Sequence, residues 1–150
     1  MDTTKEKIKA IEELLFGYSG IDARVESMRT EIDIIQNDYD TLYGSNENQR
    51  ASTPTNQINS IVEGKVASKD AKIECLKRKI DIELLNKRMI DNAISVLNEE
   101  DRKFVQDRYF EKISPSALAD HKYYCSHCYI FVRSKNIIKN QLAEYIRIIQ

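Results

Sequence analysis

Apolar residues recur every four and then three positions through residues 21–42, and this spacing constrains the fold more than any other feature. The apolar positions are Ile21, Val25, Met28, Ile32, Ile35, Tyr39 and Leu42. A heptad repeat of this kind lines up its apolar side chains in one narrow seam along a helix. A single helix that packs on a globular core usually has a wider apolar stripe. The segment is therefore predicted to be one arm of a coiled coil.

Glycine and proline are scarce, with 4 glycines and 2 prolines among 150 residues. This scarcity disfavours folds with many tight turns between strands and favours long helices. A first helix is expected to start at Thr3 or Thr4 and to stop at the turn bracketed by Gly17 and Gly20. The polar segment 44–57 separates the seam from a second long helical stretch over about 58–97. Because two helices joined by a short loop usually pack antiparallel, we predict an all-α fold with a long coiled-coil-like hairpin over residues 21–97.

Charge is unevenly distributed along the chain, although the formal net charge is only −1. Residues 1–60 carry 6 Lys and Arg against 11 Asp and Glu, whereas residues 101–150 carry 9 against 5. An acidic first part followed by a basic last part suggests a nucleic-acid surface near the C-terminal end.

The sequence contains no apolar run of about 18 residues, so we expect no membrane partner. Residues 1–16 lack the basic and then apolar layout of a secretory signal. The three cysteines are Cys75, Cys125 and Cys128, an odd number that is too small for a disulfide framework. We therefore expect a cytoplasmic protein.

Helix-capping residues divide the C-terminal part into three short helices. Asn98 suits the start of the first helix, and Ser114 with Pro115 suits the start of the second. Ser126 suits the start of the third, which is expected to run to the C-terminus. Three helices at this spacing are typical of a helix-turn-helix unit. Ala119 supplies the small residue that lets the second and third helices approach. We predict two domains, a helical hairpin region over 1–97 and a DNA-binding helix-turn-helix domain over 98–150.

The third helix is the predicted recognition helix. Its inward side is expected to comprise Ile130, Phe131, Val132, Ile138 and Leu142. The candidate DNA-binding residues are Lys122, Tyr123, Ser126, His127, Tyr129, Arg133, Lys135, Asn136 and Lys139. Arg133 or Asn136 is expected to contact base edges, and the lysines to contact phosphates. We expect Arg133→Ala and Lys135→Ala to weaken DNA binding without unfolding the protein.

The C-terminal part also resembles region four of sigma factors, and more closely the small phage and prophage regulators of the ArpU and RinA type. The resemblance lies in Arg108 and Tyr109 at the end of one helix, Leu118 and Ala119 in the next, and Tyr124 shortly before Ser126. It covers residues 97–142 and is only architectural before them. It implies a phage or prophage transcriptional regulator that binds double-stranded DNA and contacts bacterial RNA polymerase.

The turn before the recognition helix departs from that family pattern. Ala119 and Ser126 are one residue farther apart than usual, and Lys122 or Tyr123 stands where a turn glycine is common. Either the turn holds an insertion, or Cys125 takes the place of the serine and the helix starts one residue earlier. These alternatives differ by about 100° in the direction of every side chain on the helix.

No residue set indicates an enzyme or a cofactor. Cys125 and Cys128 could join His121 and His127 in a zinc site, but His127 lies between the cysteines, so the ligand set is incomplete. A glycine-rich phosphate loop and a Ser/His/Asp set are both missing from the sequence. We therefore expect no catalytic site, no metal and no other cofactor.

The tail over residues 138–149 continues the seam with Ile138, Leu142, Tyr145 and Ile149. It either packs back on the same chain, or it or the 21–42 seam forms a dimer interface. We expect a homodimer, which would place two recognition helices about one turn apart on DNA.

The alternatives to a DNA-binding regulator are a coiled-coil protein-interaction protein and a DNA-packaging component similar to a small terminase subunit.

Overall fold

The computed structural model describes the backbone of residues 3–44 and 55–148, and the side chains of residues 3–38 and 64–148. This part of the chain contains helices and turns and no strand, so the predicted all-α class is confirmed. Most of the predicted polar loop, the seam positions Tyr39 and Leu42 and the tail residue Ile149 lie outside the described side chains. None of the described helices has the length and apolar character needed to cross a bilayer.

Three α-helices contain most of the described residues between positions 3 and 95. Helix α1 spans Thr3–Gly17, α2 spans Ile21–Gly44 and α3 spans Thr55–Ser95. A single 3₁₀ turn, Tyr18–Gly20, joins α1 to α2. The first helix ends at Gly17, so the stop predicted at the turn bracketed by Gly17 and Gly20 is confirmed. The long stretch expected over about 58–97 starts three residues earlier and ends two residues earlier.

Three shorter helices follow. Each is continued without a break by a widened turn, which is counted with its helix below. Helix α4 spans Glu99–Val105, α5 spans Pro115–Ala117 and α6 spans His127–Ile137. The widened turns, in which N–H groups bond to carbonyls five residues earlier, are Gln106–Phe110, Leu118–Lys122 and Ile138–Leu142. The last helix therefore ends at Leu142, where the sequence predicted a helix that continues to the C-terminus.

Each short helix starts at a side-chain cap that the sequence predicted. The Asn98 Oδ1 atom accepts a hydrogen bond from the backbone N–H of Asp101 at 2.8 Å. The Oγ atoms of Ser114 and Ser126 accept from the backbone N–H three residues on, each at 3.2 Å. These bonds satisfy N–H groups that have no partner within the helix. The cap at Ser126 also decides the register that the sequence left open, because α6 starts at His127.

The chain leaves α4 and α5 by the same backbone path, repeated 12 residues later. Residues 106–114 and 118–126 each contain a widened turn, a residue with positive φ and a serine cap. The positive-φ residues are Lys112 at 56° and Tyr124 at 49°. The left-handed position in the turn before α6 is therefore Tyr124, and not Lys122 or Tyr123 as expected from the sequence.

The described chain forms two compact units. One unit comprises Met1–Asp22 and Glu83–Gln150, and the other comprises Ala23–Ile82. This grouping differs from the predicted domains 1–97 and 98–150, which remain a prediction about organisation.

The first unit has one hydrophobic core to which α1, the end of α3 and all three short helices contribute. Its buried members are Ile11, Leu15, Ile90, Ala93, Ile94, Leu97, Phe104, Val105, Tyr109, Leu118, Ala119, Ile130, Ile137, Ile138, Leu142 and Ile146. The tail residues Ile138 and Leu142 thus pack inside their own chain. Tyr18 donates a hydrogen bond to Asp91, and this bond, with burial, raises the pKa of Tyr18 to about 12.

The second unit brings part of α2 against part of α3. Its buried apolar residues are Val25, Ile32, Ile35, Ile73, Leu76 and Ile80. An ion pair of 3.5 Å between Glu31 and Lys72 joins the two helices. The seam positions with described side chains in this unit are thus covered within a single chain, apart from the partly buried Met28.

Candidate nucleic-acid interface

Helix α6 has one face in the core and one face open to solvent. Ile130, Ser134 and Ile137 are buried in its first three turns. Phe131 and Val132, which the sequence placed inward, are 48% and 54% exposed. This prediction was wrong because buried positions 130, 134, 137 and 138 define a helical stripe that excludes both residues.

The exposed face of α6 carries four of the predicted DNA-binding residues: Tyr129, Lys135, Asn136 and Lys139. Tyr129 lies in the first turn, and the other three lie in the last turns. The Lys135 and Lys139 side chains are four residues apart and so project from neighbouring turns of the same face.

Arg133 is instead held against α4. Its side chain is 18% exposed, and its Nη2 atom lies 3.3 Å from Oδ1 of Asp101. The guanidinium carbon lies 4.6 Å from the centre of the Phe104 ring, within the range of a cation–π contact. The Gln141 amide donates to the other Asp101 oxygen at 3.1 Å. Arg133 therefore links α6 to the start of α4.

Three further predicted residues have partners in the chain. Lys122 forms an ion pair of 3.1 Å with Asp107, and His127 lies 3.1 Å from Asp120. Tyr123 packs on Phe104 with the ring centres 5.5 Å apart. Burial and the negative charge of Asp107 raise the pKa of Tyr123 above its ordinary value.

The small residue predicted at the approach of α5 to α6 lies in the core. Ala119 is 1% exposed, and its carbonyl accepts the N–H of Cys125 at 3.0 Å. Cys125 and Cys128 are free thiols. Among the described residues, no group of three or more His, Cys, Asp and Glu side chains lies close enough to hold a metal ion.

A cleft of about 540 Å³ separates α6 from α1. It is lined by Thr4, Lys5, Ile8, Lys9, Glu12, Lys135, Asn136 and Lys139. Lys5 and Lys9 were not predicted as binding residues, because they lie within residues 1–60, where acidic residues outnumber basic ones by 11 to 6. Their signal is the run of lysines at positions 5, 7 and 9 beside the apolar stripe of α1.

The compact units do not preserve the charge division seen along the sequence. The unit that contains α6 has 14 Lys and Arg against 14 Asp and Glu, and the other unit has 9 against 10. The cleft is different, because four lysines and one carboxylate line it. The relevant positive charge is thus a local feature formed by α1 and α6.

No protein-family model, curated protein or solved structure matches this chain. The resemblance to phage regulators and to sigma region four therefore rests on the residues quoted above.

Proposed function

We propose that this protein binds double-stranded DNA and regulates transcription, with α5 and α6 as a helix-turn-helix unit. The observation that carries the proposal is the exposed face of α6, on which Lys135, Asn136 and Lys139 lie together while the opposite face is buried. A helix with this division can enter the major groove and stay anchored to its domain.

Each type of exposed side chain on α6 can contact a chemical group on DNA. An asparagine can bond to both N6 and N7 of adenine, and lysines contact phosphate oxygens. Tyr129 and Val132 offer apolar surface near the start of α6, where a thymine methyl group can pack. Asn136 is therefore the proposed base-contacting residue, and Lys135 and Lys139 are the proposed phosphate contacts.

We also propose how the rest of the chain and a second copy are arranged around the helix-turn-helix unit. Helices α2 and α3 form an antiparallel hairpin, and two copies of the chain bind DNA as a homodimer in the cytoplasm of a bacterial host. Contact with RNA polymerase and a phage origin follow from the resemblance to sigma region four and to the ArpU and RinA regulators. No catalytic step, metal or cofactor is part of this proposal.

The test is a titration of fluorescently labelled random-sequence duplexes at two salt concentrations, followed by selection of bound DNA from a library. We expect affinity to fall steeply with salt, because bound lysines displace counterions from DNA. Asn136→Ala should relax the selected sequence, whereas the exposed Asn92→Ala in α3 should leave it unchanged. Absence of binding at low salt would contradict the proposal.

A second candidate function is docking to another protein through the turn before α6. Tyr124 is 82% exposed, and Tyr129 and Phe131 are about half exposed. Aromatic residues are enriched at protein–protein interfaces. Light scattering separates the transcriptional regulator from the DNA-packaging alternative predicted from the sequence. A ring of many copies would favour the DNA-packaging alternative, and a dimer would favour the regulator.

A further inference from the structure

The cleft between α1 and α6 contains an excess of positive charge. Of its lining residues, Lys5, Lys9, Lys135 and Lys139 are cationic and only Glu12 is acidic. Glu12 already accepts a hydrogen bond of 3.0 Å from the Tyr109 hydroxyl. Within the described residues, Lys9, Lys135 and Lys139 form no ion pair.

The lysines come in two pairs of like charge. Lys5 and Lys9 are four residues apart on α1, and Lys135 and Lys139 are four residues apart on α6. Pairs at this spacing are neighbours on a helix surface and repel each other. The two lysine pairs face each other across one cleft, and this adds further repulsion. A bound polyanion would relieve it.

We infer that this cleft binds the phosphate backbone of the same DNA duplex that α6 contacts, with Lys9 of α1 as a phosphate-binding residue. The inference rests on the proposed function and extends it from α6 to the N-terminal helix. Lys135 and Lys139 reach the backbone from one side of the cleft, and Lys5 and Lys9 reach it from the other.

Lysine at these positions suits phosphate rather than base edges. Its ammonium group is a compact charge on a flexible stem, whereas base recognition uses planar groups that bond at two points. The Thr4 hydroxyl also lines the cleft and can donate to a phosphate oxygen. The contact of α1 with DNA is therefore independent of sequence.

The experiment measures the affinity of the full chain for a labelled duplex between 0.05 and 0.3 M salt, for the wild type and for Lys9→Gln. Loss of one phosphate contact lowers the slope of log affinity against log salt by about 0.9, and affinity by roughly eightfold at 0.1 M salt. The decrease should be equal for duplexes of unrelated sequence. Glutamine keeps the helix propensity of lysine, so thermal unfolding should be unchanged.

The matched control is Lys79→Gln, which removes one exposed lysine from the other compact unit. Its salt slope should equal that of the wild type. If the wild type binds and Lys9→Gln retains the full slope, the inference fails and the role of α6 stands. An equal decrease for Lys79→Gln would also overturn it, because net charge alone would explain the loss. If the wild type binds no duplex, the proposed function and the inference fail together.

Discussion

At the scale of single residues, Tyr124 is the clearest case of local strain. Its φ of 49° lies in the left-handed region, where the Cβ of an L-residue approaches the following carbonyl. Its side chain is almost fully exposed, so burial of the ring does not offset the strain. The position is needed because the chain must reverse between α5 and the cap at Ser126.

The first prediction is that Tyr124→Gly is more stable than Tyr124→Ala by about 1 kcal/mol, because only glycine lacks the Cβ that causes the strain. Urea unfolding of the two variants measures the difference. Tyr123→Gly is the matched control and should be destabilising, because Tyr123 has φ −103° and packs on Phe104. Equal stability of the Gly and Ala variants at position 124 would contradict the prediction.

The second prediction concerns Arg133, whose loss was expected from the sequence to leave the protein folded. Arg133→Ala removes the ion pair with Asp101 and the contact with the Phe104 ring. We expect the free energy of unfolding to fall by about 2 kcal/mol, because the substitution leaves the largely buried Asp101 carboxylate with fewer partners. The measurement is the free energy of unfolding, with Lys135→Ala as an exposed control on the same helix. A wild-type value for Arg133→Ala would show that these contacts contribute nothing.

At the scale of elements, the short helices follow from local chemistry. A cap bond joins residues three positions apart, so Asn98, Ser114 and Ser126 could be identified as caps from the sequence. The inward side of α6 was only partly predicted. Ile130, Ile138 and Leu142 are buried as expected, but Phe131 and Val132 are not. Apolar character alone misled the prediction, because the core accepts only the stripe that faces it.

The third prediction is that Ala119→Leu destabilises the fold by about 1–3 kcal/mol through overpacking. Ala119 is buried in the core beside Leu118, and leucine adds three carbons at this position. Ala117→Leu serves as the control, because this residue is only partly buried. Thermal unfolding of both variants gives the comparison. A larger loss for Ala117→Leu than for Ala119→Leu would contradict the assignment of Ala119 to the tight contact.

At the scale of the whole molecule, α1 belongs to the same core as the helix-turn-helix segment. Ile11 and Leu15 are fully buried with Ile130 and Ile138. The hydroxyl of Tyr109 donates to Glu12, 97 positions earlier in the chain. The aromatic rings of Phe16 and Tyr109 add an edge contact with centres 4.8 Å apart. The first helix is thus a structural part of the unit that carries the candidate site.

The fourth prediction follows from this shared core. Ile11→Ala should lower the stability of the first unit by about 2–5 kcal/mol, because it leaves a cavity between α1 and the short helices. Hydrogen exchange should accelerate at the amides of α6 as well as at those of α1. Glu13→Ala, an exposed change on α1, should leave both unaffected. Acceleration confined to α1 would show that the helix is not coupled to the core.

The sequence by itself determined the helical class, several helix ends and the three caps, because these depend on hydrogen bonds and side chains a few residues apart. It could not determine which lysines converge, since Lys9 and Lys139 meet at one cleft only after α1 packs on α6. The same limit applies to Arg133, whose partners Asp101 and Phe104 lie on another helix. Tertiary structure decided these features, because packing between distant segments selects which face of each helix is buried.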